Sequence, residues 1–203
     1  MQYFLEHVAT AVCAISGALA ARGKQVDLFG VVVLALVTAL GGGTLRDLVL
    51  DASPVFWIAD NSYAATAVIS AVVVFAIARF VRLSGKPLLL ADAGGLALFT
   101  ILGVEKSLRH GTTSMIAVAM GVITGVAGGM IRDVLTREIP LVLRREIYLY
   151  ATASFCGALL FVLLEPLVPP SPLRFLAIGT TLALRLAAIA WRINLPEFQA
   201  KEH

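Results

Sequence analysis

The sequence predicts an all-α integral membrane protein: seven transmembrane helices, built as a three-plus-three inverted repeat with a seventh helix added. Three observations lead there. The 203 residues are 59% hydrophobic and 14% charged, with a mean hydropathy of +0.91, against roughly 45–50% apolar and 25% charged residues in a soluble domain. Seven apolar runs of about spanning length follow one another along the chain. The segment "GGGTLRDLVLDASP", which closes the second run, returns as "AGGMIRDVLTREIP" at a shift of 86 residues.

A spanning helix takes about 20 mostly apolar residues, because each residue rises about 1.5 Å across about 30 Å of hydrocarbon. The runs that meet this are 4–21, 28–50, 62–82, 88–105, 113–135, 146–165 and 173–191. Between them lie "ARGKQVD", "DASPVFWIADN", "RLSGKP", "EKSLRHG", "TREIPLVLRRE" and "EPLVPPSP", whose charged, Pro and Gly residues end helices. The start, "MQYFLEHVAT", carries an acid and a histidine where a cleavable signal carries basic residues, so the first run is expected to remain in the mature chain. Residues 1–191 thus read as a single transmembrane domain, with repeat one at about 4–83, repeat two at about 88–166 and the seventh helix at about 173–191. The tail 192–203, "RINLPEFQAKEH", is polar and too short to fold alone.

The formal net charge of +3 sits in short clusters between apolar runs, not in one stripe, so no nucleic-acid partner is expected. Counted over alternate connections, lysine and arginine fall ten to one side and three to the other. The basic side should be cytoplasmic, which places the N-terminus outside and the C-terminus inside. Arg46, Arg132 and Arg185 belong to neither set of connections. Cys13 and Cys156 both lie in apolar runs and read as packing residues. Trp57, Tyr63, Trp191 and the tyrosines of "YLY" read as anchors at the membrane interface.

At the single 86-residue offset, Gly42, Gly43, Arg46, Asp47 and Pro54 match Gly128, Gly129, Arg132, Asp133 and Pro140 without a gap. Thr38 matches Thr124, Gly17 matches Gly103, and Glu6 falls opposite a second acid, Asp92. A duplicated unit of three helices is odd in number, so its second copy enters the membrane from the opposite side, as in many transport proteins.

Consecutive glycines cost a helix about 1 kcal/mol each relative to alanine, so Gly41, Gly42 and Gly43 predict a kink or an unwound turn in the second helix, and Gly128 and Gly129 a milder one in the fifth, where Ala127 replaces the first glycine. Freed backbone groups at membrane depth must face protein or water, which points to a hydrated path beside both breaks. The competing reading is close packing of helices through small residues. Arg46 and Arg132 sit about 18 residues into their runs, about 27 Å along a straight helix, where they either mark the path or snorkel to the interface. Adjacent residues diverge by about 100°, so Arg46 and Asp47, like Arg132 and Asp133, should pair with other helices and not with each other. The aspartates would draw cations; a path dominated by the arginines would favour anions. Thr38 and Thr124, one turn before the breaks, either line the path or bond back to their own helix.

His7, His110 and His203 share no spacing with cysteines or carboxylates that would make a metal site. "GGGTLRD" lacks the lysine and the preceding strand of a phosphate-binding loop. No catalytic site, cofactor or metal is expected, and the chain does not read as an enzyme.

The seven runs, the inverted repeat and the paired "GGGTLRD" and "AGGMIRD" segments together resemble the trimeric intracellular cation (TRIC) channel family, and the short tail resembles its bacterial and archaeal members, some of which carry the label of putative glycine transporters. The resemblance implies a homotrimer with a pore in each protomer, conducting potassium or sodium ions. It further implies that the second and fifth helices line the pore, with Gly41, Gly42, Gly43, Gly128 and Gly129 at its bends and Arg46, Asp47, Arg132 and Asp133 beside them. Membrane lipids and a prokaryotic plasma membrane complete the expected setting. The alternative is a secondary transporter for a small solute such as glycine. A transporter usually needs a titratable residue at the midplane, and no Asp or Glu reads as lying deep in a span away from an end or from the Arg-Asp pairs.

Overall fold

The computed structural model describes residues 1–78, 80, 86–144, 149–191 and 193. Its helices are α1 (Gln2–Ala20), α2 (Leu28–Val49), the short α3 (Phe56–Ala59), α4 (Ser62–Ala78), α5 (Lys86–Arg109), α6 (Ser114–Leu135), α7 (Tyr150–Leu164) and α8 (Pro170–Trp191), with one 3-10 turn at Leu141–Leu143. Five are long and apolar enough to cross a membrane; α4 and α7 are shorter apolar helices. These seven answer to the seven expected runs. The predicted ends of the third and sixth runs, and nearly all of the polar tail 192–203, lie outside the described residues.

The helices group as the repeat predicts. α1, α2 and α4 pack on one another, α5, α6 and α7 do the same, and the two bundles meet through α1 with α5 and α2 with α6. α8 packs outside the second bundle, against α5 and α7. The interfaces are built from small residues: Ala9, Ala35, Ala67, Ala97, Ala117, Ala158 and Ala177 are all fully buried. Lipid tails are as apolar as leucine, so helices in a bilayer gain by close backbone approach, which alanine and glycine permit. Large side chains turn outward instead, as in Ile69, Val73 and Ile77 along α4 and Phe155, Leu159 and Leu163 along α7.

The two bundles are inverted, and the glycines show it. A Cβ on Gly42 would lie 2.1 Å from the carbonyl oxygen of Thr124, and one on Gly128 would lie 2.2 Å from that of Thr38. The pairs 42 with 124 and 38 with 128 run in opposite directions, so α2 and α6 cross antiparallel. The unwound turn expected at the glycines is absent: α2 continues as a helix through Gly41–Gly43 and α6 through Gly125–Gly129. The packing alternative prevails because the absent side chains are what let two helix backbones touch at the crossing. The helices therefore keep their backbone hydrogen bonds and need no water to satisfy freed groups.

Gly42→Ala and Gly128→Ala should each destabilise the folded protein by about 1–3 kcal/mol through overpacking. Gly179→Ala, in a helical position with nothing within 4 Å of the added methyl, should not. Thermal denaturation of the purified protein in detergent checks both; equal midpoints for the three variants would refute the close crossing.

Candidate functional site

Thr38, Gly42 and Gly43 of α2 and Thr124, Gly125, Gly128 and Gly129 of α6 surround a small cavity at the crossing, completed by Cys13 and Ser16 of α1 and Asp92, Leu96 and Phe99 of α5. Its volume is about 10 Å³, near the least that admits one water molecule. Gly41 lies off this wall, half-buried with Ile131 as its near neighbour. Both threonines bond back to their own helix, Thr38 Oγ1 donating to the Leu34 carbonyl at 2.6 Å and Thr124 Oγ1 to the Met120 carbonyl at 2.5 Å. They also line the cavity, so the two readings of these residues hold together.

Two larger recesses open at opposite ends of the crossing. At the α2 end, about 420 Å³ is bounded by residues including Glu6, Arg46, Phe56, Tyr63, Phe99 and Lys106. At the α6 end, about 640 Å³ is bounded by residues including Arg22, Lys24, Asp133, Glu138, Leu141 and Arg144. Phe99 belongs to both the first recess and the central cavity and separates them. On the other side Asp92 lines the cavity and Asp133 the second recess, and Arg132 bonds to both.

The charged motifs sit where α2 and α6 end, with the same local geometry. Arg46 Nε donates to Asp47 Oδ1 at 2.8 Å, and Arg132 Nε to Asp133 Oδ1 at 2.8 Å. This corrects the expectation that neighbours cannot pair: their Cβ directions diverge, but the arginine stem is long enough to bring Nε round to the adjoining carboxylate. The second carboxylate oxygen of each takes a backbone N–H from the following loop, Phe56 for Asp47 at 2.9 Å and Leu141 for Asp133 at 2.7 Å. After each helix the chain turns through a left-handed residue, Asp51 at φ 52° and Arg137 at φ 57°. In each turn the amide five residues on bonds back to the aspartate carbonyl, Ala52 to Asp47 and Glu138 to Asp133. Thus each aspartate ties its helix end to the next segment.

Partners on other helices differ between the halves. Lys106 of α5 adds a second cation to Asp47, Nζ to Oδ1 at 2.7 Å. Arg132, fully buried, reaches Asp92 Oδ1 at 2.9 Å and Ser16 Oγ at 2.5 Å through Nη1. Asp92 lies near a span end, the seventh residue of α5, yet it is buried and lines the central cavity. Its alignment with Glu6 at the repeat offset was the signal available in the sequence. Tyr63 and Tyr150, expected as interface anchors, are both buried at the starts of α4 and α7. Tyr63 donates its hydroxyl to Glu6 Oε2, and the Tyr150 ring lies under the Arg185 guanidinium, 4.6 Å from Cζ. Trp57 donates Nε1–H to Thr44 Oγ1 at 2.9 Å. Among the described residues no group of three or more His, Cys, Asp or Glu is placed to hold a metal ion.

The family model described as Glycine transporter matches the chain twice, over residues 3–79 and 89–166, which reproduces the 86-residue offset. The "UPF0126 inner membrane protein YadS" of Escherichia coli (strain K12) is 45% identical over 204 residues, covering 99% of this chain and 98% of that protein. A solved orthologue of the TRIC trimeric intracellular cation channel from Rhodobacter sphaeroides is 37% identical, with a TM-score of 0.89 over 95% of this chain and 98% of that one. A structure solved to explain conductance through TRIC cation channels is 34% identical, with a TM-score of 0.87 over 98% of both chains.

At the rim of the α6-end recess, Lys24 Nζ lies 2.5 Å from Glu138 Oε1, and Arg144 Nη2 lies 2.9 Å from Glu138 Oε2. The Lys24 hydrogen bond, joined by the charges of Lys24 and Arg144, holds the Glu138 carboxyl below its ordinary range. A lowered folded value means that this contact is fully formed above the ordinary glutamate range and is lost as pH falls through the lowered value. Carbon-13 titration of the Glu138 carboxyl should give a midpoint below that of a free glutamate, and Lys24→Ala should raise it; an unmoved midpoint would refute the contact.

Proposed function

This chain belongs to the prokaryotic branch of the TRIC channel family, among the bacterial UPF0126 membrane proteins, and from that premise we propose that it is a passive channel for monovalent cations, potassium or sodium, with a pathway through each protomer. The observation that carries the reading is the occurrence of two recesses at opposite ends of the α2 and α6 crossing with a water-sized cavity, lined in part by Thr38, Thr124, Ser16 and Asp92, at the crossing itself. Thr38, Thr124 and the glycines at 42, 43, 128 and 129 form the narrowest part, and the Arg46 with Asp47 and Arg132 with Asp133 pairs stand at its two ends. A waist of about 10 Å³ admits no hydrated ion, so the conformation described here is a closed one.

Fixed acids at both ends favour cations, and their arginine partners keep them from holding a cation too tightly to release it, which conduction requires. The name of the family model, Glycine transporter, describes a family and adds no observation on this chain. Asp92 supplies the buried acid that a coupled transporter would use, but Arg132 already holds it. The relatives suggest a multi-pass protein of a bacterial inner membrane, assembled as a homotrimer in contact with membrane lipids. The ten-to-three distribution of basic residues supports an outside N-terminus and a cytoplasmic C-terminus.

Purified protein in planar bilayers should show unitary potassium currents with cations preferred over anions. Thr38→Val combined with Thr124→Val should lower the unitary conductance by removing both hydroxyls from the waist. Saturable glycine uptake by proteoliposomes without unitary events would overturn the channel reading, and full conductance in the double variant would remove the threonines from the pathway.

A further inference from the structure

Two sets of charges, four residues in each, stand near the ends of α2 and α6, and only one of them is supplied wholly by the repeated bundles. At the end of α2 stand Arg46 and Asp47, with Glu6 from α1 and Lys106 from α5 facing them across the same recess. Toward the end of α6 stand Arg132 and Asp133, with Asp92 from α5. Arg46, Asp47 and Glu6 correspond to Arg132, Asp133 and Asp92 at the repeat offset. Lys106 has no such counterpart, because the matching position is Ala20. Two acids and two bases make the first set neutral, whereas the repeat alone leaves the second with two acids against one base.

Arg185 removes that imbalance from outside the duplication. It lies on α8, which has no partner in the repeat, and it is fully buried. Its guanidinium covers the Tyr150 ring, with Cζ 4.6 Å from the centroid. Tyr150 in turn reaches the site: its hydroxyl, Asp92 Oδ1 and Arg132 Nη2 lie 3.2, 3.3 and 3.6 Å from the single point that a Cβ on Gly129 would occupy. A guanidinium at membrane depth is costly unless other groups need it there, and an excess buried carboxylate is costly in the same way. Each resolves the cost of the other.

We propose that Arg185 is a positioning residue for the conduction pathway: it supplies from the seventh membrane helix the second cation of the Asp92, Asp133 and Arg132 set, and through Tyr150 it keeps Asp92 against Arg132 at the cavity wall. The conduction part rests on the channel reading above; the charge pairing does not. Among the described residues, the charged and titratable groups facing Asp92 are Cys13 from α1, Arg132 from α6, Tyr150 from α7 and Arg185 from α8, and Asp133 joins the set through Arg132. Among the described residues, α2 brings no charged group to this cavity. Removing Arg185 therefore leaves one uncompensated negative charge beside the waist.

The test compares Arg185→Gln, Arg185→Lys and the double variant Asp92→Asn with Arg185→Gln. In a potassium chloride gradient, Arg185→Gln should move the reversal potential toward the potassium equilibrium value, while Arg185→Lys and the double variant should return it toward the parent value. An unmoved reversal potential in a folded Arg185→Gln protein, or a lysine variant that behaves like the glutamine one, would overturn the proposal. A second reading needs no current: thermal midpoints should show that Asp92→Asn recovers part of the loss caused by Arg185→Gln, whereas Asp47→Asn, in the other set, does not. If Arg185→Gln fails to fold, recovery of folding in the double variant supports the pairing and its failure overturns it. A parent protein that passes no current would defeat the channel reading while the thermal cycle still decides the pairing.

Discussion

The antiparallel contact between α2 and α6 governs the rest of the molecule. Each helix presents a glycine to a threonine carbonyl of the other, at a separation that a methyl group would close to 2.1 or 2.2 Å. Because the contact lies part-way along both helices and they run in opposite directions, their charged ends are carried to opposite ends of the crossing. A parallel crossing would have placed Arg46, Asp47, Arg132 and Asp133 together. The inversion separates them into two ends with a shared waist, and both recesses follow from that separation.

At those ends the same residues solve a folding problem. A helix that stops inside or near the hydrocarbon exposes carbonyls at its C-terminus, and the next segment arrives with unpaired N–H groups. Arginine in the last turn complements the partial negative charge of the helix end. The aspartate beside it accepts from that arginine with one oxygen and from the incoming loop amide with the other. Breaking a buried pair of this kind costs about 3–5 kcal/mol, more than the intact pair contributes. The pairs therefore secure the geometry of the helix ends, whatever charge they lend to the recesses beside them.

The periodicity and composition made the seven spans legible, and the 86-residue offset made the duplication and its inversion legible, because both are properties of residue order. What glycine does at the crossing was not legible. "GGG" lowers helix propensity whether the helix opens there or another backbone presses against it, and only the position of the Thr124 and Thr38 carbonyls separates the two. Arg46 and Asp47 were readable as a charged pair of positions but not as a bonded one, since side-chain reach is absent from a helical wheel. Asp92 looked like an ordinary polar residue early in a span; its place on the cavity wall depends on α5 crossing α1. Lys106 and Arg185 were visible as charges, yet the partner of the first lies 59 positions away, and Arg185 reaches Tyr150 of the second repeat from a helix that the repeat does not contain.

The closed waist also constrains how any pathway through it opens. With the glycines already at the limit of backbone approach, the α2 and α6 side of the cavity wall is helix backbone and threonine hydroxyls tied to their own helices. Widening on that side moves α2 relative to α6. That motion lifts Gly42 off the Thr124 carbonyl and Gly128 off the Thr38 carbonyl, so oxygen atoms now covered by glycine come to face the path. Carbonyl oxygens are suited to a partly dehydrated cation, and they would become available only as space for the ion appears. On the channel reading, one pair of contacts thus both shuts the waist and holds the ligands that an open waist requires.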